Sequence, residues 1–336
     1  MDVYNKIVQN KDKWVKLGGG ISNEVYLFDI TNEISPLSSE ISPLSSEISP
    51  LSSEISPLSS EISLSGEISL SGEISLSGEI SLSGEKYVIK KLTRKNDGFF
   101  NYIENYMKYL INSKYFVHFD ETNDIYVERF IEGEIISNDI LYDMKFLDVV
   151  CDEIDHINRL LIDIPKENII LKYLNNFIQY LKSCDEFSKF VPYEKIIGEI
   201  IEKKNRSELV YNHNDVQKYN ILIDNKKIII LDFEYAGYTW NFFDHANFIV
   251  LLHIDMNVFH DINIENYLTA IYKRYNKCEY NLRVHLIDLM IIASYLWTMW
   301  AHVKYIITND EFYLEYSNRL FNILKKTLKI NKNFYN

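Results

Sequence analysis

The chain has 336 residues, 47% of them hydrophobic and 25% charged, enough to bury one large core or two of ordinary size. Setting aside residues 33–85, which carry nine Glu and no base, moves the formal net charge from −13 to −4; no basic patch of the kind that tracks a phosphate backbone is present, which argues against a nucleic-acid partner. Cys151, Cys184 and Cys278 are too few and too scattered for a disulfide frame or a zinc site, and with no signal-peptide pattern at the start a cytoplasmic chain is expected.

In chain order, the first feature is a pair of β-like runs joined by Leu17-Gly18-Gly19-Gly20-Ile21-Ser22-Asn23. Glycines let a backbone approach a phosphate and successive N–H groups cradle it, although a Gly triplet by itself is more often a plain hairpin turn. Next come β-like runs at Glu24 to Ile30 and Lys86 to Leu92, with a foreign segment between them. Ile-Ser-Pro-Leu-Ser-Ser-Glu repeats four times from Ile34 to Glu61, and Ile-Ser-Leu-Ser-Gly-Glu four times more to Glu85. The odd period and recurring proline of the first block oppose a strand ladder. Two aliphatics per repeat bury too little surface to offset the cost of ordering. A low-complexity insertion replacing a hairpin turn is expected, rather than a small solenoid.

Beyond it, strand alternation points Lys90 and Lys91 to opposite faces, with Arg94 close behind. A helix is expected from Gly98 to Ser113, carrying Glu104, followed by strands near Tyr115 to Phe119 and Asp124 to Phe130. From about residue 138 the pattern is mostly helical around one short β-hairpin. The apolar stretch Leu286 to Val303 is broken by Asp288, Ser294, Thr298 and His302, so no membrane span is expected there. The resulting class is α+β with two lobes: a small β-rich lobe of residues 1–33 and 86–132, the insertion at 34–85, and a larger helical lobe at 133–336. Such a junction implies a ligand-holding cleft.

The chemistry concentrates around the hairpin. His213-Asn-Asp215-Val-Gln217-Lys-Tyr-Asn220 leads into two apolar runs, Ile221 to Ile223 and Ile228 to Leu231, and then Asp232-Phe-Glu234. A turn centred on Lys226 would set Asn220 opposite Asp232, with Cβ atoms about 5 Å apart. An amide oxygen and a carboxylate at that spacing suit a hard cation such as Mg²⁺. Asp215, on the loop entering the hairpin, keeps its own carboxylate free to accept a proton. A base beside two metal ligands is what phosphoryl transfer requires.

These residues, with Tyr235-Ala-Gly-Tyr238 and Phe243-Asp244-x-Ala-Asn247, resemble the choline/ethanolamine kinase family, and the likeness covers nearly everything outside the repeats. The resemblance implies a protein-kinase-like, aminoglycoside-phosphotransferase-like fold, with ATP as co-substrate and a Mg²⁺ ion. It makes Asp215 the catalytic base, Asn220 and Asp232 the Mg²⁺ ligands, and Gln217 and Glu234 local supports or additional metal contacts. Gly19, Gly20, Ser22 and Asn23 match the phosphate-facing loop. Val88-Ile-Lys90 resembles the kinase V-A-I-K strand, whose Lys pairs with phosphates and a helix Glu, here Glu104. Backbone groups of Arg129 and Ile131 would read adenine.

For the acceptor, Trp297 and Trp300 share a helical face and Tyr316 follows on the next helix. An aromatic stripe at that spacing is by default core packing. The three nevertheless match the positions where the family builds its cationic-head pocket, and a quaternary ammonium needs little beyond aromatic faces. Where the family places an acid and a Tyr this chain has Leu251 and Met256; Asp255, one helical turn beyond Leu251, is the candidate substitute. The resemblance therefore implies phosphorylation of choline on the route to phosphatidylcholine, with ethanolamine as the alternative acceptor, and a homodimer. A non-catalytic scaffold presenting the repeats would have lost one or more of Asp215, Asn220, Asp232 and Lys90; all four are present.

Overall fold

The computed structural model describes residues 3–17, 23–29, 86–92, 115–120, 122–136, 140, 143–204, 207–224, 227–255, 261–275 and 279–335. The chain divides into two compact units, the first holding the described residues before 93 together with Val117–Ile131, the second running from Glu132.

The first unit is a five-stranded sheet in the order β1-β2-β3-β5-β4, with β1 Val15–Lys16, β2 Asn23–Asp29, β3 Lys86–Leu92, β4 Phe116–Asp120 and β5 Ile125–Arg129. A short helix, α1 (Val3–Gln9), covers it with Ile7, which packs among Phe28, Tyr87, Ile89, Ile125 and Val127. The Tyr4 hydroxyl donates to Asp120, and Trp14 Nε1 to the Ile7 carbonyl at 3.0 Å, pinning α1 to the sheet. Alternation along β3 separates the two lysines as expected. Lys90 is buried, with Nζ 3.9 Å from Glu128 Oε1, while Lys91 lies on the other face near Glu24 and over the Tyr26 ring.

β2 and β3 pair antiparallel along their whole length, Asn23 opposite Leu92 and Asp29 opposite Lys86. The repeat insertion itself, like the helix expected at Gly98 to Ser113, lies outside the described residues, but the described residues on either side of it, Asp29 and Lys86, are partners on a ladder.

The second unit is mainly helical: α2 (Met144–Asn158), α3 (Ile169–Ser183), α4 (Val191–Lys204), α5 (Phe243–Asp255), α6 (Asp261–Tyr275), α7 (Glu279–Thr308) and α8 (Glu311–Tyr335). Asp143 caps α2 through the Lys145 N–H, and Asn168 caps α3 through the N–H groups of Ile170 and Leu171. Around α7, which packs against α8, α5 and α3, lies the core. By length and composition α7 could cross a membrane, despite the polar residues that interrupt it. In the fold 89% of its most apolar window is buried, the condition of a core helix. Its buried Asp288 is paired with Lys204 at 2.9 Å and accepts from Asn331 at 2.9 Å, so the charge on the apolar helix is matched.

Two small ribbons interrupt the helices. β7 (Leu209–Asn212) pairs with β10 (Gly237–Trp240), and β8 (Ile221–Asp224) pairs with both β9 (Lys227–Ile230) and the short β6 (Glu134–Ile135).

Deleting residues 34–85 leaves only residues 30–33 between the paired Asp29 and Lys86, a common hairpin loop length. Shortening the connection by about four halvings removes ~2 kcal/mol of loop-closure cost. The deletion variant should therefore melt at the parent temperature or a few degrees higher in a calorimetric scan; a large drop would show that the repeats hold the sheet together.

Candidate active site

The ribbon β8–β9 has a register one residue away from the expected one. Asp224 pairs with Lys227 and Ile221 with Ile230, so the ladder axis falls between residues 225 and 226, not on Lys226. Asn220 therefore stands against Leu231, whose N–H donates to the Asn220 carbonyl at 2.7 Å, and not against Asp232. A two-residue connection accounts for the shift. Asp232 itself leaves the ladder. At φ 65 and ψ 67 it is left-handed, ending the strand and opening a 3₁₀ turn at Phe233–Tyr235.

On the other side, the loop after β7 is organised by buried polar side chains. Asp244, in the first turn of α5, accepts the backbone N–H groups of His213 and Asn214, each at 2.7 Å. Burial pushes its carboxyl up to about 7, even though the two N–H bonds pull the other way. Asn214 is left-handed at φ 66, a conformation Asn tolerates, and its amide donates to the Tyr235 carbonyl at 2.9 Å. His213 Nδ1 accepts the Asp215 N–H at 3.1 Å, so Nε2 carries the proton and donates to the Leu231 carbonyl at 2.8 Å. One imidazole thus spans from the loop before Asp215 to the residue before Asp232.

Asp215 is buried, and its Oδ2 accepts from Gln217 Nε2 at 3.0 Å and Asn220 Nδ2 at 2.8 Å. Asn220 Nδ2 also donates to the Asp215 carbonyl at 2.9 Å. With the amide nitrogen committed, Oδ1 of Asn220 remains as its oxygen donor. Burial holds the Asp215 carboxyl well above the usual carboxylate range; the charges of Asp232 and then Glu234 raise it further, and the Gln217 and Asn220 bonds lower it. Negative charge is therefore concentrated about the buried Asp215, and a cation would relieve it. Among the described residues no three His, Cys, Asp or Glu side chains could hold a metal ion by themselves. The amide oxygen of Asn220 and the carboxylate of Asp232 are the donors that could contribute to holding a hard cation, with oxygens from outside the protein needed to complete its shell.

Trp297, Trp300 and Tyr316 come together as a chain of edge-to-face rings. Trp297 and Trp300 lie 5.6 Å apart, and Trp300 and Tyr316 6.3 Å. Both indoles are buried. Trp297 also meets Tyr235 at 5.2 Å and, with Ile170, Tyr173, Phe177 and Asn214, lines a crevice closed to water, so on that side it is core. The face of Trp300 lies 5.9 Å from Lys304 Nζ. Leu251 is buried within α5; Asp255 ends that helix, and its side chain lies outside the described residues. Of the nucleotide-side residues, Lys90 is buried beside Glu128, Arg129 ends β5 and Ile131 is buried. Asn23 opens β2, whereas Gly19, Gly20, Ser22, Glu104 and Arg94 lie outside the described residues.

Residue-by-residue reading picked out Asp215, Gln217, Asn220 and Asp232 but assigned no role to His213, Asn214, Asp244 or Asn247. The available signal was the cost of burying them: polar side chains inside an apolar helix or beside a strand end have to be bonded to something.

A family model described as choline/ethanolamine kinase matches residues 90–325. A probable choline kinase of Arabidopsis thaliana is 28% identical over 222 residues, covering 58% of this chain; the chain spans 64% of that relative's length. Among solved structures, a choline kinase from Cryptosporidium parvum superposes with a TM-score of 0.61 at 16% identity, covering 97% of this chain and 95% of the other. An ethanolamine kinase from Plasmodium vivax gives 0.60 at 16% identity, with 96% and 85% covered.

Replacing Asp244 by Asn takes away an acceptor from one of two buried N–H groups and sets an amide against it. It should cost roughly 1–3 kcal/mol in urea unfolding. Unchanged stability would show that the loop is held by something else.

Proposed function

The chain belongs to the choline/ethanolamine kinase family, and we propose that it is a choline kinase, transferring the γ-phosphoryl group of ATP to the hydroxyl of choline to give phosphocholine. The observation that supports this most is the buried Asp215 carboxylate, held by Asn220 at 2.8 Å and within the field of the Asp232 charge, in a chain matching the family from residue 90 to residue 325.

Asp215 is the proposed base. Its raised pKa makes it a better proton acceptor than an exposed carboxylate. The bonds from Gln217 and Asn220 fix one carboxylate oxygen, Oδ2, and leave Oδ1 to receive the hydroxyl proton of the acceptor. Asn220 and Asp232 would hold Mg²⁺, which when bound supplies positive charge to the phosphate oxygens. Glu234 adds to the negative field and is a further candidate contact. Lys90, Asn23 and the glycine-rich segment with Gly19, Gly20 and Ser22 are proposed for the phosphates, and Glu104 as the partner of Lys90. The backbone at Arg129 and Ile131 is proposed for adenine.

Trp297, Trp300 and Tyr316 are proposed to supply the aromatic surface for the quaternary ammonium, and Asp255 its counter-charge. Ethanolamine is the second reading. A primary ammonium donates three hydrogen bonds and calls for polar acceptors, and the apolar Leu251 favours choline over it.

The test is a set of steady-state rates for choline and ethanolamine on the parent and on Trp300→Ala. The expected result is a preference for choline and a roughly tenfold loss of kcat/KM for it in the variant, within the range of cation–π contributions. Unchanged choline turnover in Trp300→Ala would remove the aromatic cage. In the same assays Asp215→Ala should lose phosphorylation of both amino alcohols by roughly a hundredfold or more; full activity would refute it as the base.

A further inference from the structure

The peptide unit between Asn214 and Asp215 is held at both ends. Its N–H, on Asp215, donates to His213 Nδ1 at 3.1 Å, and its carbonyl, on Asn214, accepts from Asn247 Nδ2 at 2.9 Å. Asn247, on α5, is completely buried and uses its other amide atom too: Oδ1 accepts the indole N–H of Trp297 on α7 at 2.7 Å. We infer that Asn247 is a positioning residue that joins the aromatic helix to the catalytic loop, so that the indole N–H of Trp297 helps to aim the Asp215 carboxylate. The inference deepens the kinase reading above and rests on it.

The physical argument starts from the backbone of the loop. Asn214 sits at φ 66, outside the region most residues prefer, and a peptide next to such a residue can turn over unless its polar atoms are engaged. The plane of the 214–215 peptide sets where the Asp215 side chain leaves the backbone. Holding its carbonyl therefore aims the base, at a site where misplacement by about 1 Å can cost a hundredfold in rate. Asn247 suits this task because an amide can donate at one atom and accept at the other. Trp297 orients it, since only an acceptor satisfies the indole N–H and that choice turns Nδ2 toward Asn214. The ring of Trp297 lies against Tyr235 in the turn that follows Asp232, and Asn214 donates to the Tyr235 carbonyl. The same few residues therefore brace the loop of the base and the turn of the metal ligand. Trp297 then has two roles, an aromatic face and a proton donor, which a single substitution can separate.

Trp297→Phe keeps an aromatic face and removes only the donor; Asn247→Leu removes both amide atoms. Steady-state kinetics with choline and ethanolamine on the parent, both single variants and the double variant provide the test. A residue that merely lines the acceptor pocket would raise KM for the amino alcohol and leave kcat alone. The relay predicts the reverse. In Trp297→Phe, kcat should fall roughly fivefold, in Asn247→Leu roughly tenfold or more, each with acceptor KM within about twofold. The double variant should be no slower than Asn247→Leu. Unchanged kcat in either folded single variant, or losses that multiply in the double, would overturn it. If Asn247→Leu does not fold, the split between kcat and KM in Trp297→Phe decides alone. A parent protein that phosphorylates neither amino alcohol would refute the kinase reading instead. The relay would then be judged from the Trp297 indole N–H, which should be protected from exchange in the parent and lose that protection in Asn247→Leu; equal protection in both would overturn it.

Discussion

One imidazole ties the site together. His213 takes the N–H of Asp215 on one ring nitrogen and gives the proton of the other to Leu231, so the loop that carries the base cannot move away from the strand end that carries Asp232. Neither bond is worth much by itself, about 1 kcal/mol, but both are buried. Losing the ring would strand a backbone donor and a backbone acceptor without water to replace it. Asp244 ties the same loop to α5, taking two consecutive N–H groups on one carboxylate.

The arrangement collects negative charge. Asp232 and Glu234 both raise the proton affinity of Asp215, and burial raises it more than either. Elsewhere the fold pairs a buried acid, as it does Asp288 with Lys204 at 2.9 Å. Carboxylates gathered about the buried Asp215 would suit a site that a cation completes. This fits the family to which the chain belongs.

Much of this was legible in the residues. The strands flanking the insertion were marked by β-like runs with a foreign composition between them, and β2 and β3 pair from end to end. The alternation of Lys90 and Lys91 was fixed by the pleat, and Lys90 is the buried one. The spacing of Asp215, Asn220 and Asp232 announced a loop, a ribbon and a turn. The register was not legible, because a hairpin of two connecting residues and one of three look alike in an apolar-polar-apolar string. A one-residue slip reverses every facing pair. Nor was the left-handed backbone of Asp232, or the bonding of Asn247, which depends on α5 and α7 meeting far along the chain.

The central claim is that Asn220 and Asp232 share one divalent ion beside Asp215. The most direct measurement is anomalous diffraction from crystals grown with ADP and Mn²⁺ standing in for Mg²⁺. The account predicts a manganese peak within bonding distance, about 2.2 Å, of Asn220 Oδ1 and of an Asp232 carboxylate oxygen, with the Asp215 carboxylate close by but not between them. A peak bound by neither residue, or by only one of them with the other turned away, would contradict it.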